Sequence, residues 1–250
     1  MAVESPALLV EESRARRSVG ALCLDIIRRP TAAMLDLAAH PGYRWLWPLL
    51  ALAVLSVVLT MIVGPRAMSA GLAAAQLPEG VDAEAMANVQ RGTSVMVGFG
   101  AVGAALGVII GSLLAAAVLH FAGTILGGQQ GFMAVLATTA WARVPLILRS
   151  VVQILWFGTH PRDFDQKMAG LSGLLSTEAM GGESSWFEPV LAQVEIWNLW
   201  YLFLLWLAVR AFAKVTKARA LMILALFVGL RIALGLVGVG IGRAFAGFGG

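Results

Sequence analysis

Arg143 and Arg231 lie inside long apolar runs of this 250-residue chain, and their charge is the first thing its chemistry must accommodate. At about 1.5 Å per helical residue, each falls roughly midway along its run. A guanidinium at that depth in a bilayer costs about 2.5–3.5 kcal/mol on insertion scales. No acidic residue lies within any of the apolar runs, and Glu195 stands only at the edge of one. The groups left to satisfy the arginines are backbone carbonyls freed by Pro145, the amide of Gln153, a water-filled cavity, or an anion from outside. Two readings follow. In one, Arg143 together with Arg231 binds an anionic ligand or lipid headgroup between the third and fifth runs. In the other, both arginines snorkel or contact helix carbonyls. Arg149, nearer one surface, is expected to snorkel.

Other chemistry is sparse. His120 near the end of the second run has two readings, proton relay or hydrogen-bonded packing. His40 and His160 are far apart, and no histidine pair has zinc-ligand spacing, so no metal site is expected. Cys23 is the single cysteine, which rules out an intramolecular disulfide; it reads as an inert small residue or a juxtamembrane acylation point. The glycine-containing turn at 123–131 lacks the lysine and Ser/Thr of a phosphate-binding loop. No serine sits in a nucleophile elbow. The chain therefore reads as non-enzymatic, with no cofactor and no catalytic residue.

The elements that would position these residues are helices in a membrane. Hydrophobic residues make up 59% of the chain and charged residues 13%, with a mean hydropathy of +0.84. A soluble domain of this length needs more charge on its surface. Five runs, 45–64, 94–122, 132–157, 196–213 and 218–241, match the roughly 20 residues needed to cross about 30 Å of hydrocarbon as a helix. They lack the period-2 alternation of barrel strands. The expected fold is an all-α polytopic bundle of five transmembrane helices. It divides into an N-terminal arm (1–43), a five-span domain (44–241) and a short tail (242–250).

Glycines recur on the second span at Gly103, Gly107 and Gly111, four residues apart, so one helix face is open to a close backbone approach. That face serves either packing within the chain or a homo-oligomer seam. Gly229, Gly235, Gly238 and Gly242 give the last span a less regular version.

Charge sets the orientation. Arg14, Arg16, Arg17, Arg28, Arg29 and Arg44 precede the first span, and Arg210, Lys214, Lys217 and Arg219 surround the turn between spans four and five. Five crossings put both groups on one side, while the opposite side receives Arg66, Arg91, Arg162, Lys167 and Arg243 together with nine acids, including Glu79, Asp82, Asp163, Glu183 and Glu195. The positive-inside rule then predicts a cytoplasmic N-terminus and an exoplasmic C-terminus. The formal charge of +4 is explained by this juxtamembrane excess and does not signal nucleic-acid binding. Residues 1–40 carry Glu4, Glu11, Glu12 and Asp25 with no compact apolar core, unlike a cleavable signal peptide.

Residues 19–39 read as two short amphipathic pieces joined at Arg29–Pro30, with Leu22, Ile26 and Ile27 on one and Met34, Leu35 and Leu37 on the other. Either they lie among lipid headgroups with arginines turned to anionic lipid, or they cap the bundle from the cytosol. A short helix with Asp82 or Glu84 near its start is expected in the loop 65–93, and the loop 158–195 is acidic and Gly/Ser-rich near 181–185. Trp45 and Trp47 suit an inner aromatic belt, and Trp186, Trp197 and Trp200 an outer one.

Several local patterns recur together in this order. Asp25-Ile26-Ile27-Arg28-Arg29-Pro30 leads toward the first span, and Gly127-Gly128-Gln129-Gln130-Gly131-Phe132 joins spans two and three. Trp141-Ala142-Arg143-Val144-Pro145 lies in span three, Ile196-Trp197-Asn198-Leu199-Trp200 opens span four, and Lys217-Ala218-Arg219-Ala220 opens span five. Over roughly residues 22–240 the chain resembles the Yip1 family of five-span membrane proteins with a cytoplasmic N-terminus. In eukaryotes that resemblance implies vesicle trafficking and partners among Rab-type GTPases. This chain looks like a bacterial member with a short arm, so Rab binding is not carried over. The expected function is a membrane-organising or trafficking-type scaffold in the bacterial inner membrane, acting through protein and lipid contacts. The expected partners are the bilayer, anionic lipid, a membrane protein or a second copy, and no nucleic acid. The alternative is a small transporter or lipid-handling channel with an anion site at the mid-membrane arginines.

Overall fold

The computed structural model describes residues 18–74, 83–159, 190 and 193–247. Eight helices are arranged along them: α1 (Val19–Arg28), α2 (Pro30–Ala39), α3 (Leu46–Ala74), α4 (Ala83–Ile125), α5 (Phe132–Ala142), α6 (Val144–Thr159), α7 (Ile196–Ala213) and α8 (Lys217–Gly247). Among the described residues there is no strand. Five segments are long and apolar enough to cross a membrane: Leu46–Arg66, Arg91–Ile125, Phe132–Thr159, Ile196–Ala213 and Lys217–Ile241. These are the five runs expected from composition, with ends shifted by a few residues.

Local chemistry explains the ends. Ser18 caps α1 by accepting from the Ala21 N–H at 3.3 Å. Pro30 then forces a break, because the residue before a proline is pushed out of the helical region. Arg29 sits at φ −142°, and Pro30 occupies the first turn of α2, where its missing N–H costs nothing. The expected short helix in the 65–93 loop is not a separate element. Residues from Ala83 run straight into the second span as one 43-residue helix, about 65 Å long at 1.5 Å per residue. Asp82 lies outside the described residues, as do Asp163, Glu183 and Trp186 in the loop before α7.

The chain forms two compact units. The first gathers Met1–Pro48, Ser112–Val144 and Trp200–Gly229. Within it α1 packs on α2, and α2 packs on α5. Leu22 and Ile26 of α1 and Ala33, Met34 and Leu37 of α2 are buried, as is every residue of α5 from Val135 to Ala142. The arm's inner face is therefore part of the core, which favours the packed-cap reading for that face. Leu24, Ile27 and Leu35 remain more than half exposed on the other side. Arg44 bonds Asp36 at 3.2 Å and tethers the end of α2 to the entrance of α3.

The second unit gathers Leu49–Gly111, Pro145–Leu199 and Leu230–Gly250. Here α3 meets α4 closely: a Cβ on Gly64 would stand 3.2 Å from both Val97 methyls, and one on Gly100 would stand 3.7 Å from the Thr60 methyl. Ser56 and Thr60 return their hydroxyls to their own helix, to the Leu52 and Ser56 carbonyls at 2.7 and 2.8 Å.

Candidate functional site

In the first unit, Arg143 stands at a break in the third span rather than within a continuous helix. Pro145 has no N–H and its ring clashes with a carbonyl one turn back, so the helix cannot run through. Accordingly α5 stops at Ala142, Arg143 takes φ −79° and ψ 0° with its N–H turned to the Ala140 carbonyl at 3.2 Å, and α6 restarts at Val144. The side chain of Arg143 is half-buried. Two residues before it, Trp141 is almost wholly buried and donates its indole N–H to the Arg44 carbonyl at 3.2 Å. That bond fixes how the entrance of α3 meets α5, a role the sequence reading did not give to Trp141.

Arg231 belongs to the second unit, so the two arginines paired in the sequence reading fall in different units. Arg231 donates from Nη1 to the Asn198 Oδ1 at 3.2 Å. Asn198, itself buried, is held by donating to both the backbone and the side-chain oxygens of Gln193, at 3.0 and 3.3 Å. Beside it Glu195 is 5% exposed and pairs with Arg149 across 3.0 Å. Arg149 thus reaches a carboxylate at the edge of the fourth span. Two polar links meet the start of α7, Arg149 of α6 to Glu195 and Arg231 of α8 to Asn198. Neither Asn198 nor Gln193 was singled out as a partner from sequence. The only signal was their position at the head of α7, 33 residues from Arg231 in the case of Asn198.

The turn after α4 is the most tightly built feature of the first unit. Gly127, at φ +91°, provides the left-handed residue that ends the helix. Its N–H bonds the Thr124 carbonyl at 3.0 Å, and the Gly128 N–H bonds the Gly123 carbonyl at 2.8 Å, the paired bonds of a Schellman cap. Gln130 folds back to donate to the His120 carbonyl at 3.1 Å, and Arg219 at the start of α8 donates to the Leu126 carbonyl at 3.3 Å. A Cβ on Gly123 would meet the Gln130 amide; one on Gly128 would meet Gln130 Oε1 and lie 2.9 Å from the Gly123 carbonyl. The His120 ring lies edge-on to Phe132 at 5.9 Å, and its Nδ1 is buried without a hydrogen-bond partner. That setting suits packing.

Gly103, Gly107 and Gly111 have nothing within 4 Å of where a Cβ would be, so their face is open in the single chain. Cys23 is exposed. Among the described residues no three His, Cys, Asp or Glu side chains come together as a metal site.

Comparison with curated proteins and with solved structures gives no significant match. A family model does match: the Yip1 domain, over residues 24–239. That stretch begins in α1 and ends in α8, taking in the arm, the glycine cap, the Arg143 break and the polar links at α7. The protein belongs to the Yip1 family, as an integral membrane protein with five apolar helices of spanning length.

Proposed function

We propose that this protein is a non-enzymatic scaffold of the bacterial cytoplasmic membrane, with its N-terminus inside, acting through protein and lipid contacts. One observation carries the reading. Arginine and tryptophan side chains of the apolar segments join helices to one another, while Ser56 and Thr60 bond within their own helix, and exposed cations gather at the ends of helices in the first unit. Arg231 to Asn198, Arg149 to Glu195 and Trp141 to Arg44 are bonds of assembly. Arg28, Arg29, Lys214, Lys217 and Arg219 are exposed. A surface of that kind recruits; among the described residues no three His, Cys, Asp or Glu side chains come together on it.

The test is site-specific photocrosslinking in cells from Gln129 and Lys217, paired with reporter fusions at both termini. Reproducible crosslinks to a membrane protein or to lipid, with the N-terminal reporter active inside, support the scaffold. An N-terminal reporter active outside, or no crosslink from either position, overturns it.

A second reading rests on the break at Arg143, which places a guanidinium beside the end of a helix within a span. It makes Arg143 the seat of an anionic ligand or lipid headgroup in a small transporter or lipid-handling channel. Native mass spectrometry of lipid-embedded protein decides it. Loss of a bound anion in Arg143→Gln supports the site, and its retention removes it. The open glycine face of α4 belongs with the scaffold as the seam for a second copy. Gly107→Leu should then lower the oligomeric mass without changing the monomer's helicity.

A further inference from the structure

We propose that the outer face of the α1–α2 hairpin is a docking surface for an anionic bilayer, resting in the headgroup layer beside the third span. This deepens the scaffold reading by naming the lipid contact, and rests on that reading for its purpose alone.

Placement is the first argument. The bond from Trp141 to the Arg44 carbonyl sets the entrance of α3 about nine residues along α5, or about 14 Å from its start at Phe132. Within the hairpin that precedes Arg44, α2 packs on α5, the helix that opens the third span. A helix pair held against the opening helix of a spanning segment lies toward that end of the hydrocarbon, where interfacial helices lie.

The second argument is the chemistry of the face turned away. At 100° per residue Leu24, Ile27 and Arg28 share the side of α1 opposite Leu22 and Ile26, with Cys23 on its flank. All four are exposed, with Leu24 at 53% and Ile27 at 54%, and Leu35 of α2 at 53%. The apolar exposure continues through Tyr43 and Trp47, at the entrance of the first span. The charges divide by sign. Arg28 and Arg29 are exposed, while Asp25 is half-buried and Asp36 is tied to Arg44 and faces His40. What the hairpin shows outward is leucine and isoleucine flanked by arginine, complementary to acyl chains beneath anionic headgroups.

The single cysteine supplies the probe in the native chain. Partial burial pushes the Cys23 thiol above its ordinary value, so labelling is done at alkaline pH. The full-length protein, labelled there with an environment-sensitive fluorophore, is reconstituted in nanodiscs of phosphatidylcholine alone or mixed with phosphatidylglycerol. Emission is read against aqueous iodide and against lipids carrying a shallow nitroxide. The expected result is strong quenching by the lipid nitroxide, weak quenching by iodide, and a larger difference with phosphatidylglycerol. Arg28→Gln and Arg29→Gln should each weaken the anionic-lipid partition about 5-fold, from the ~1 kcal/mol typical of a basic residue near such a surface. Unchanged thermal unfolding of these variants shows that the hairpin stays folded. Iodide quenching that ignores lipid composition overturns the proposal. So does protection from both quenchers, which would mean that protein covers the face. Both leaflets of such a disc are alike, so the outcome is independent of orientation; the terminal reporters test that separately.

Discussion

Asn198 shows how a half-buried charge is accommodated by a neutral neighbour. Its amide oxygen accepts from Arg231 while its nitrogen is anchored on Gln193, so truncation removes an acceptor from a cation. Asn198→Leu should lower stability by about 1–3 kcal/mol, measured by thermal unfolding in detergent. Pairing it with Arg231→Met should recover a good part of the loss, since hydrophobic groups of similar volume often replace buried polar pairs without penalty. At the surface, the raised Cys23 pKa sets a pH dependence whose sign is fixed. The thiol holds its proton longer in the fold than in the unfolded chain, so the thiolate fraction near neutral pH is below that of a free cysteine. Alkylation should therefore be slow at pH 7 and accelerate on moving above the ordinary cysteine range, with denatured protein reacting faster at each intermediate pH. Stability is lost over that same rise in pH. At this scale the sequence was only partly legible. Arg143, Arg149 and Arg231 announced themselves because charge is rare in apolar runs. Their actual settings depend on a proline break and on side chains at the start of α7, which hydropathy does not register.

Among the elements, the glycines divide into two kinds by what surrounds them. Gly107 faces open space inside a helix, so Gly107→Ala should leave the fold intact and raise unfolding stability by up to about 1 kcal/mol through helix propensity. Gly128 is enclosed by Gln130, the Gly123 carbonyl and Ala213, so Gly128→Ala should cost about 1–3 kcal/mol through overpacking. Thermal unfolding of the two variants side by side checks the contrast. Spacing alone singled out the first kind, because a regular four-residue repeat is visible as a pattern. The turn at 123–131 was visible as a family marker, but its Schellman cap, the return of Gln130 to His120 and the arginine from α8 are contacts between distant positions. The five spans were readable almost to the residue, since a long uninterrupted apolar helix has few other places to go.

For the molecule as a whole, the arm is a structural component. It contributes the buried Leu22, Ile26, Met34 and Leu37 to the first unit, and α2 packs on α5. Sequence alone left the arm between lipid and bundle because amphipathicity shows one apolar face and not what meets it. The structure divides the question by face, with the inner one packed. Deleting residues 18–40 should therefore strip cover from α5 and lower the yield of folded protein in detergent, read as monodisperse material on size exclusion. A merely tethered arm would leave that yield unchanged.

The packing of α2 on α5 also has a meaning in time. The arm leaves the ribosome before α5, which is complete only about 100 residues after α2, or roughly 5–20 s later at ordinary rates of synthesis. Through that interval the two helices are made while the surface that will receive them is not. Their aliphatic side chains need a provisional shelter, and the membrane at the insertion site is the nearest apolar phase. Nascent chains arrested before Phe132 should therefore hold the arm on the bilayer and resist protease there, then exchange lipid for α5 as the third span arrives.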